Sequence, residues 1–342
     1  METPRCRVCG RPAVIYVRSA RSHLCEEHFW AYFERRVRRV LERAGVRRGH
    51  RILASVSGGK DSASLLEALH RLQPELGFEL AAVHIDLGIG EYSRVSRQAA
   101  EREASRLGVP LAVIDLREAL GMGIPELSLA SRRPPCSVCG LVKRYVLNAA
   151  AVEAGADYLA MGHNGDDIAA YALKAFINQD LEALRKLGPL TPSIDGLAVG
   201  RLRPLYMISE KESLVYALTR RASFTMMECP NVTRRQAEVR LKIWFTELER
   251  SMPGVRDQLL GNLARRHRDY PEPAGAASRC PTCGLLSSGG ECSFCRLTRV
   301  VTGSPAGPAM RAYIRERLRE AGITWTPRQS RSASVEGEGG QT

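Results

Sequence analysis

The cysteines carry the most chemistry in this sequence, and their spacing divides all ten of them into three groups. Cys6, Cys9, Cys25 and His28 follow a CxxC…CxxH pattern, and Cys280, Cys283, Cys292 and Cys295 follow CxxC…CxxC. Each group offers four donors, the set that closes a tetrahedron around zinc. Cys136 and Cys139 in PCSVCG, with Cys229 in ECP, are the remaining three. Three thiolates leave a coordination position open, on a zinc ion as on an iron–sulfur cluster, and an open position is where chemistry takes place. The N-terminus METPRCRVCG has no apolar signal-peptide core, and no run reaches the roughly 18 to 20 apolar residues of a membrane span. The expected location is the cytoplasm, away from membranes, where cysteines stay reduced and CxxC pairs serve metals or sulfur chemistry.

A second constellation handles phosphate. Ser55-Val56-Ser57-Gly58-Gly59-Lys60-Asp61-Ser62 follows an apolar run and opens a helical pattern. Its glycines allow a tight turn whose N–H groups converge on an anion, and the helix N-terminus adds positive potential. The spacing is not GxxxxGK[ST], which disfavours a Walker-type kinase or GTPase. Val83-His84-Ile85-Asp86 ends the next apolar run, and Met161-Gly162-His163-Asn164-Gly165-Asp166-Asp167 ends a later one, which brings paired carboxylates toward the phosphate site. Taken singly, His84 reads equally as a packed histidine and Asp166 or Asp167 as a helix cap.

The elements that must position these residues are apolar runs at 51–56, 80–85, 111–114 and 158–161, alternating with helical patterns at 62–72 and 93–107. That alternation predicts an α/β fold, a parallel sheet covered by helices, with ligands beyond the carboxyl ends of the strands. Residues 26–43 read as a basic amphipathic helix, 166–268 as a helical section, and 271–278 (PEPAGAAS) as a linker. The expected organisation is an N-terminal cysteine module over 1–30, a catalytic domain over 31–270, a C-terminal cysteine module over 271–300 and a tail over 301–342, disordered from about 326.

Fifty Lys and Arg against 37 Asp and Glu leave a formal charge of +13, with Arg in large excess over Lys. This balance suits a polyanionic partner and bidentate phosphate contacts, although a GC-rich genome would also yield an Arg-rich surface. Arg35, Arg36, Arg38 and Arg39, just after the first module, offer a face to RNA phosphates or simply a solvated helix surface.

SGGKDS resembles the PP-loop of the ATP pyrophosphatase superfamily. The ordered set CxxC…CxxH, SGGKDS, PCxxCG, GHNxDD, ECP and CxxCG…CxxC, spanning residues 6 to 295, resembles the two-thiouridine synthetase A family, a group related to the wobble-uridine thiolases of archaea and eukaryotes. The resemblance implies that ATP binds at Ser55, Ser57, Gly58, Gly59, Lys60, Asp61, Ser62, His84, Asp86, Gly162 and His163, with Asp61 either binding Mg²⁺ or positioning the nucleotide. Asp61, Lys143 and Asp167 would lie at the reaction center. Cys136, Cys139 and Cys229 would hold a [4Fe-4S] cluster with one free iron, and the terminal modules would hold two zinc ions. The implied activity is tRNA uridine 2-sulfurtransfer: ATP adenylates the C2 oxygen, and sulfur from a ubiquitin-like thiocarboxylated carrier protein replaces it. The terminal-module pattern favours T-loop ribothymidine over the wobble uridine, and a homodimer is expected. Gly165 departs from the family, whose members usually carry a larger apolar residue there, and it is expected to loosen that helix start.

Three rival readings remain. A PP-loop enzyme whose adenylate is attacked by an amine leaves three cysteines without a task. A thiolase using a Cys136–Cys229 persulfide needs no cluster. A non-catalytic zinc-ribbon RNA-binding protein leaves SGGKDS and GHNxDD unexplained.

Overall fold

The computed structural model describes residues 3–233, 237–272, 275 and 277–325. A two-stranded antiparallel ribbon, β1 (Ile15–Val17) with β2 (Ser22–Leu24), carries the first cysteine module, and α1 (Glu26–Arg43) leaves it along the span expected from periodicity. Phe29, Tyr32, Phe33, Val37, Val40 and Leu41 recur at three- and four-residue intervals and form its buried stripe. The alternating section follows as β3 (Arg51–Ser55), α2 (Lys60–Leu76), β4 (Glu79–Asp86), α3 (Gly90–Leu107), β5 (Leu111–Asp115), α4 (Leu116–Leu120), α5 (Ile124–Ser131), α6 (Pro135–Ala154), β6 (Tyr158–Ala160) and α7 (Gly165–Ile177).

The chain continues through α8 (Leu181–Arg185), β7 (Leu190–Thr191), β8 (Gly200–Leu202), α9 (Glu210–Thr219), α10 (Ala237–Ser251) and α11 (Val255–Arg266). The section expected to be helical throughout therefore contributes two strands. They are only two and three residues long, too short for alternation to register in the sequence. The last module comprises β9 (Ser278–Arg279), β10 (Leu286–Ser287) and α12 (Ser293–Thr302), and α13 (Gly307–Glu320) follows.

Six strands form the sheet in the order β5-β4-β3-β6-β8-β7, parallel except for the terminal β7–β8 pair. The chain leaves β3 toward β4 on one side and returns to β6 on the other. The crevice for a ligand opens at such a reversal, above the carboxyl ends of the strands. The loops after β3 and β6, which carry SGGKDS and GHNGDD, therefore face one another.

A tail was expected over 301–342, and within it α13 buries Met310, Ile314 and Leu318 in the core shared with α6 and β5. The disorder expected from about 326 lies outside the described residues. The C-terminal module is built into the same core: Tyr145 of α6 stacks on Phe294 at 3.9 Å and donates to the Gly307 carbonyl at 3.1 Å. Among the described residues, no helix is long and apolar enough to cross a membrane.

Candidate active site

The phosphate loop starts where β3 ends. Gly58 has φ +85°, and a Cβ there would lie 2.2 Å from the Ser96 carbonyl oxygen, so only glycine fits. Gly59 begins α2 with extended backbone (φ −86°, ψ 165°) and no side chain caps the helix, which leaves its first turn to an anion. Two serines fix the curvature. The Ser57 amide and hydroxyl reach Ser62 Oγ at 3.1 and 3.2 Å, and Ser62 donates to the Gly59 carbonyl at 2.8 Å. The Gly58 carbonyl accepts from Thr225 N–H at 2.9 Å, tying the loop to the segment that leads to Cys229.

Opposite, Asn164 caps α7 by accepting from the Asp166 and Asp167 amides at 2.9 and 3.1 Å, while its side-chain amide donates to Asp61 at 3.2 Å. Asp167 completes the capping box through the Asn164 amide at 3.1 Å. Its other oxygen accepts from Lys242 at 2.8 Å. The cap of α7 is therefore Asn164, where the sequence offered Asp166 or Asp167, and Asp167 serves the cap from the third helical position while pairing with Lys242. Asp166 is a structural pin, accepting from the Glu210 amide at 2.7 Å and from Arg256 at 3.3 Å. Gly165 is not a weak point. A Cβ there would meet Leu260 Cδ1 at 2.8 Å and the Tyr206 carbonyl at 3.0 Å, and the Gly165 N–H bonds the Ile208 carbonyl at 2.7 Å. The missing side chain lets residues 206–208 close onto the helix start.

Two residues unforeseen in the sequence complete the charge network. Glu210 accepts from Lys60 at 2.9 Å and from Lys242 at 2.7 Å, while Lys60 also contacts Asp61 at 3.0 Å. Burial alone would raise the Glu210 carboxyl, but Lys242 and Lys60 outweigh it and hold it at about 2. Burial would lower Lys242, and Asp167 and Glu210 together push it above the ordinary lysine range. The result is a chain of alternating charges, Asp61–Lys60–Glu210–Lys242–Asp167.

One cleft of about 1890 Å³ brings together Ser55, Ser57, Gly59, Lys60, Asp61, Ser62, Gly162, His163 and Asp167 with Lys143, Cys136 and Cys229. Gly58, His84, Asp86 and Cys139 are outside its lining. His84 is 2% exposed and sits behind the loop, its Nδ1 donating to the Val56 carbonyl at 2.8 Å; burial lowers its pKa and keeps it neutral. Asp86 accepts from the Gly88 amide at 3.0 Å. Burial pushes the Cys139 thiol up, opposed by the nearby Lys143 ammonium, while Cys229 and Cys136 add to the rise.

The donor sets differ in ways that match different occupants. In each terminal module the four ligand atoms all lie within 4.8 Å of one another, the convergence that a single tetrahedral ion requires. In the first, His28 Nδ1 stands 3.2 Å from Cys25 Sγ and 3.7 Å from Cys6 Sγ. Cys136, Cys139 and Cys229 are reduced thiols that do not converge to that spacing, a wider set that suits a multi-atom cluster better than one ion. Cys136 and Cys139 ride on the first turn of α6, and Lys143 lies further along the same helix.

The basic face of α1 is smaller than the sequence suggests. Arg36 donates to Ser19 at 2.8 Å and to Asp257 at 2.9 Å, bolting α1 to α11, and Arg38 pairs with Glu75. Arg35 and Arg39 remain exposed.

Residues 31–233 match the PP-loop domain family, and residues 5–30 match the N-terminal LIM domain of the 2-thiouridine synthetase TtuA. The chain is 40% identical over 296 residues to the tRNA-5-methyluridine(54) 2-sulfurtransferase of Thermus thermophilus, an alignment covering 85% of this chain and 90% of that one. The chain belongs to this PP-loop 2-thiouridine synthetase family. Another relative, the enzyme of the same description from Pyrococcus horikoshii, is 38% identical over 85% of this chain and 93% of its own length. The family's fold is also that of the U34-tRNA thiolase NcsA from Methanococcus maripaludis, solved with its [4Fe-4S] cluster; it superimposes with a TM-score of 0.73 at 26% identity, covering 88% of this chain and 96% of that one.

Proposed function

We propose that this protein is a tRNA uridine 2-sulfurtransferase acting at the 5-methyluridine of the T-loop. The observation that carries this reading is the shared cleft, in which the phosphate loop and the Cys136–Cys229 wall face the same space. An ATP-splitting site and a sulfur site so placed can act in turn on one base. The identities to the two 5-methyluridine(54) enzymes, 40% and 38%, support that position over the wobble uridine.

In this reading the uridine C2 oxygen attacks the α-phosphorus of ATP and pyrophosphate leaves. Sulfur then adds at C2, and AMP departs with the original oxygen. The amides of the 57–62 loop and the first turn of α2 receive the triphosphate, and Lys60 exchanges Glu210 for phosphate oxygens. Asp61, fixed by Asn164, positions the nucleotide and is the natural carboxylate for Mg²⁺, which would draw charge off the triphosphate. Lys143 and Asp167 orient the base or move its proton. Cys136, Cys139 and Cys229 would hold a [4Fe-4S] cluster, which would supply a sulfur-binding position with no net redox change. The terminal modules would hold two structural zinc ions. A ubiquitin-like thiocarboxylated carrier as sulfur donor, a homodimer and a cytoplasmic location complete the proposal, all three on the strength of the family resemblance.

Nucleoside mass spectrometry of tRNA from a deletion strain, combined with an assay of tRNA-dependent AMP release, tests it. The expected result is loss of the 2-thio group from T-loop ribothymidine in the strain, and AMP formed by the enzyme only with tRNA. Intact thiolation in the strain, together with no tRNA-dependent AMP, would restore the non-catalytic RNA-binding reading.

A further inference from the structure

Arg201 lies on β8 and Arg203 just beyond it, on the same side of the strand by the two-residue period. The Leu202 carbonyl between them accepts from Met161 N–H at 2.8 Å, so both arginines stand at the carboxyl end of the sheet beside the 161–164 loop. Arg203 is only 8% exposed, and its Nη1 donates to the Gly188 carbonyl at 2.6 Å and to Thr191 Oγ1 at 3.1 Å, both neutral acceptors. Arg201 is half-buried, and Arg144 projects from α6; all three line the cleft.

Among the described residues, neither Arg201 nor Arg203 forms an ion pair, and the side-chain acceptors of Arg203 are both neutral. Burial and the neighbouring Arg144 lower Arg201, and burial and Arg201 lower Arg203. The other cations of the same cleft that are at least part-buried are paired, Lys60 and Lys242 with Glu210 and Arg256 with Asp166. Guanidinium groups do not escape burial by losing a proton, and a buried cation without a counter-ion is costly. Arg201 and Arg203 on one wall, with the exposed Arg144 beside them, therefore form a site completed by an anion from outside.

We propose that Arg201, Arg203 and Arg144 form a phosphodiester-binding subsite that takes the tRNA backbone phosphate beside the target uridine. This rests on the tRNA reading above. Guanidinium forks match phosphate oxygens bidentately, and a chain of phosphates can engage three of them where one carboxylate cannot. The triphosphate of ATP has its own cradle on β3 and α2. In the order β3-β6-β8, the arginine strand is two strands away, about 10 Å across the sheet. That separation suits a nucleotide whose base reaches the reaction center while its phosphate is held aside, because phosphate contacts set position on RNA and an unstacked base is what the chemistry needs.

The test uses the full-length protein and an unmodified tRNA transcript, with Arg201→Gln and the surface variant Arg144→Gln. Each variant should bind tRNA about tenfold more weakly near 0.15 M salt. The slope of log affinity against log salt should be shallower by about 0.7 to 0.9. ATP affinity should match wild type, and the melting temperature should not fall in either variant. Unchanged tRNA affinity in both variants, while wild type thiolates tRNA normally, would overturn the subsite. Weakened ATP binding in its place would do the same by assigning the arginines to the triphosphate. So would a loss seen only when a protein thiocarboxylate supplies the sulfur. Wild-type protein that neither binds nor thiolates tRNA would overturn the functional reading itself, and this subsite with it.

Discussion

Gly58→Ala should disable the enzyme from within the phosphate loop, while Gly59→Ala should leave the fold almost untouched. At Gly58 a side chain must adopt φ +85°, a left-handed conformation that costs an L-residue roughly 1–2 kcal/mol. Its Cβ would also sit 2.2 Å from the Ser96 carbonyl oxygen, and that atom is backbone on α3, which has no free rotamer with which to yield. Forcing the loop and the helix apart adds about 1–3 kcal/mol. The total of about 2–5 kcal/mol corresponds to a melting temperature lower by about 5–10 °C. The displaced loop drags Thr225, bonded to the Gly58 carbonyl at 2.9 Å, and with it the approach to Cys229. Gly59 differs: its φ is −86°, and the nearest atom to a Cβ is Ser57 Oγ at 3.7 Å, an ordinary contact, so the cost stays under about 1 kcal/mol. Differential scanning fluorimetry and calorimetric ATP binding on both variants make the comparison. Wild-type melting and ATP affinity in Gly58→Ala, or equal damage from Gly59→Ala, would refute the steric reasoning.

Four further outcomes are expected. Replacing Cys136, Cys139 or Cys229 by Ala should remove broad visible absorbance and sulfur transfer while partly sparing AMP formation. Full thiolation by rigorously iron-free protein would favour the persulfide route. Glu210→Gln tests the charge chain through pH. The folded carboxyl lies at about 2 against an ordinary value of 4.5, so its contribution is present above pH 4.5 and is lost as pH falls toward 2. The full span would be worth about 3 kcal/mol; with the side chain 41% exposed, screening leaves about 1 kcal/mol. Urea unfolding of both proteins should show that difference at pH 7 and a smaller one at pH 3.5, and a difference that grows in acid would contradict it. Elemental analysis should find about two zinc ions per chain. Cys283→Ser should lower the melting temperature more than Cys9→Ser, because Cys283 is buried against α13 and Cys9 is exposed.

Much of this protein is legible in its sequence alone, because its chemistry is written in contiguous motifs. SGGKDS and GHNGDD are each a strand end, a turn and a helix start, and such local units carry their conformation in adjacent residues. The two four-donor modules declare themselves by ligand spacing, and α1 by its 3.6-residue stripe. Tertiary structure alone decided what meets across long separations. Lys60 joins Glu210, which joins Lys242, and neither distant residue leaves a periodic mark because an ion pair requires only that two side chains arrive at one place. It likewise made α13 part of the core shared with α6 and β5 and turned Arg36 from a surface cation into a bolt between helices. Strands β7 and β8 were hidden for a simpler reason: two or three residues are too few to show alternation, and it was the pairing of β8 with β6, and of β7 with β8, that extended them and set Arg201 and Arg203 at the rim of the cleft.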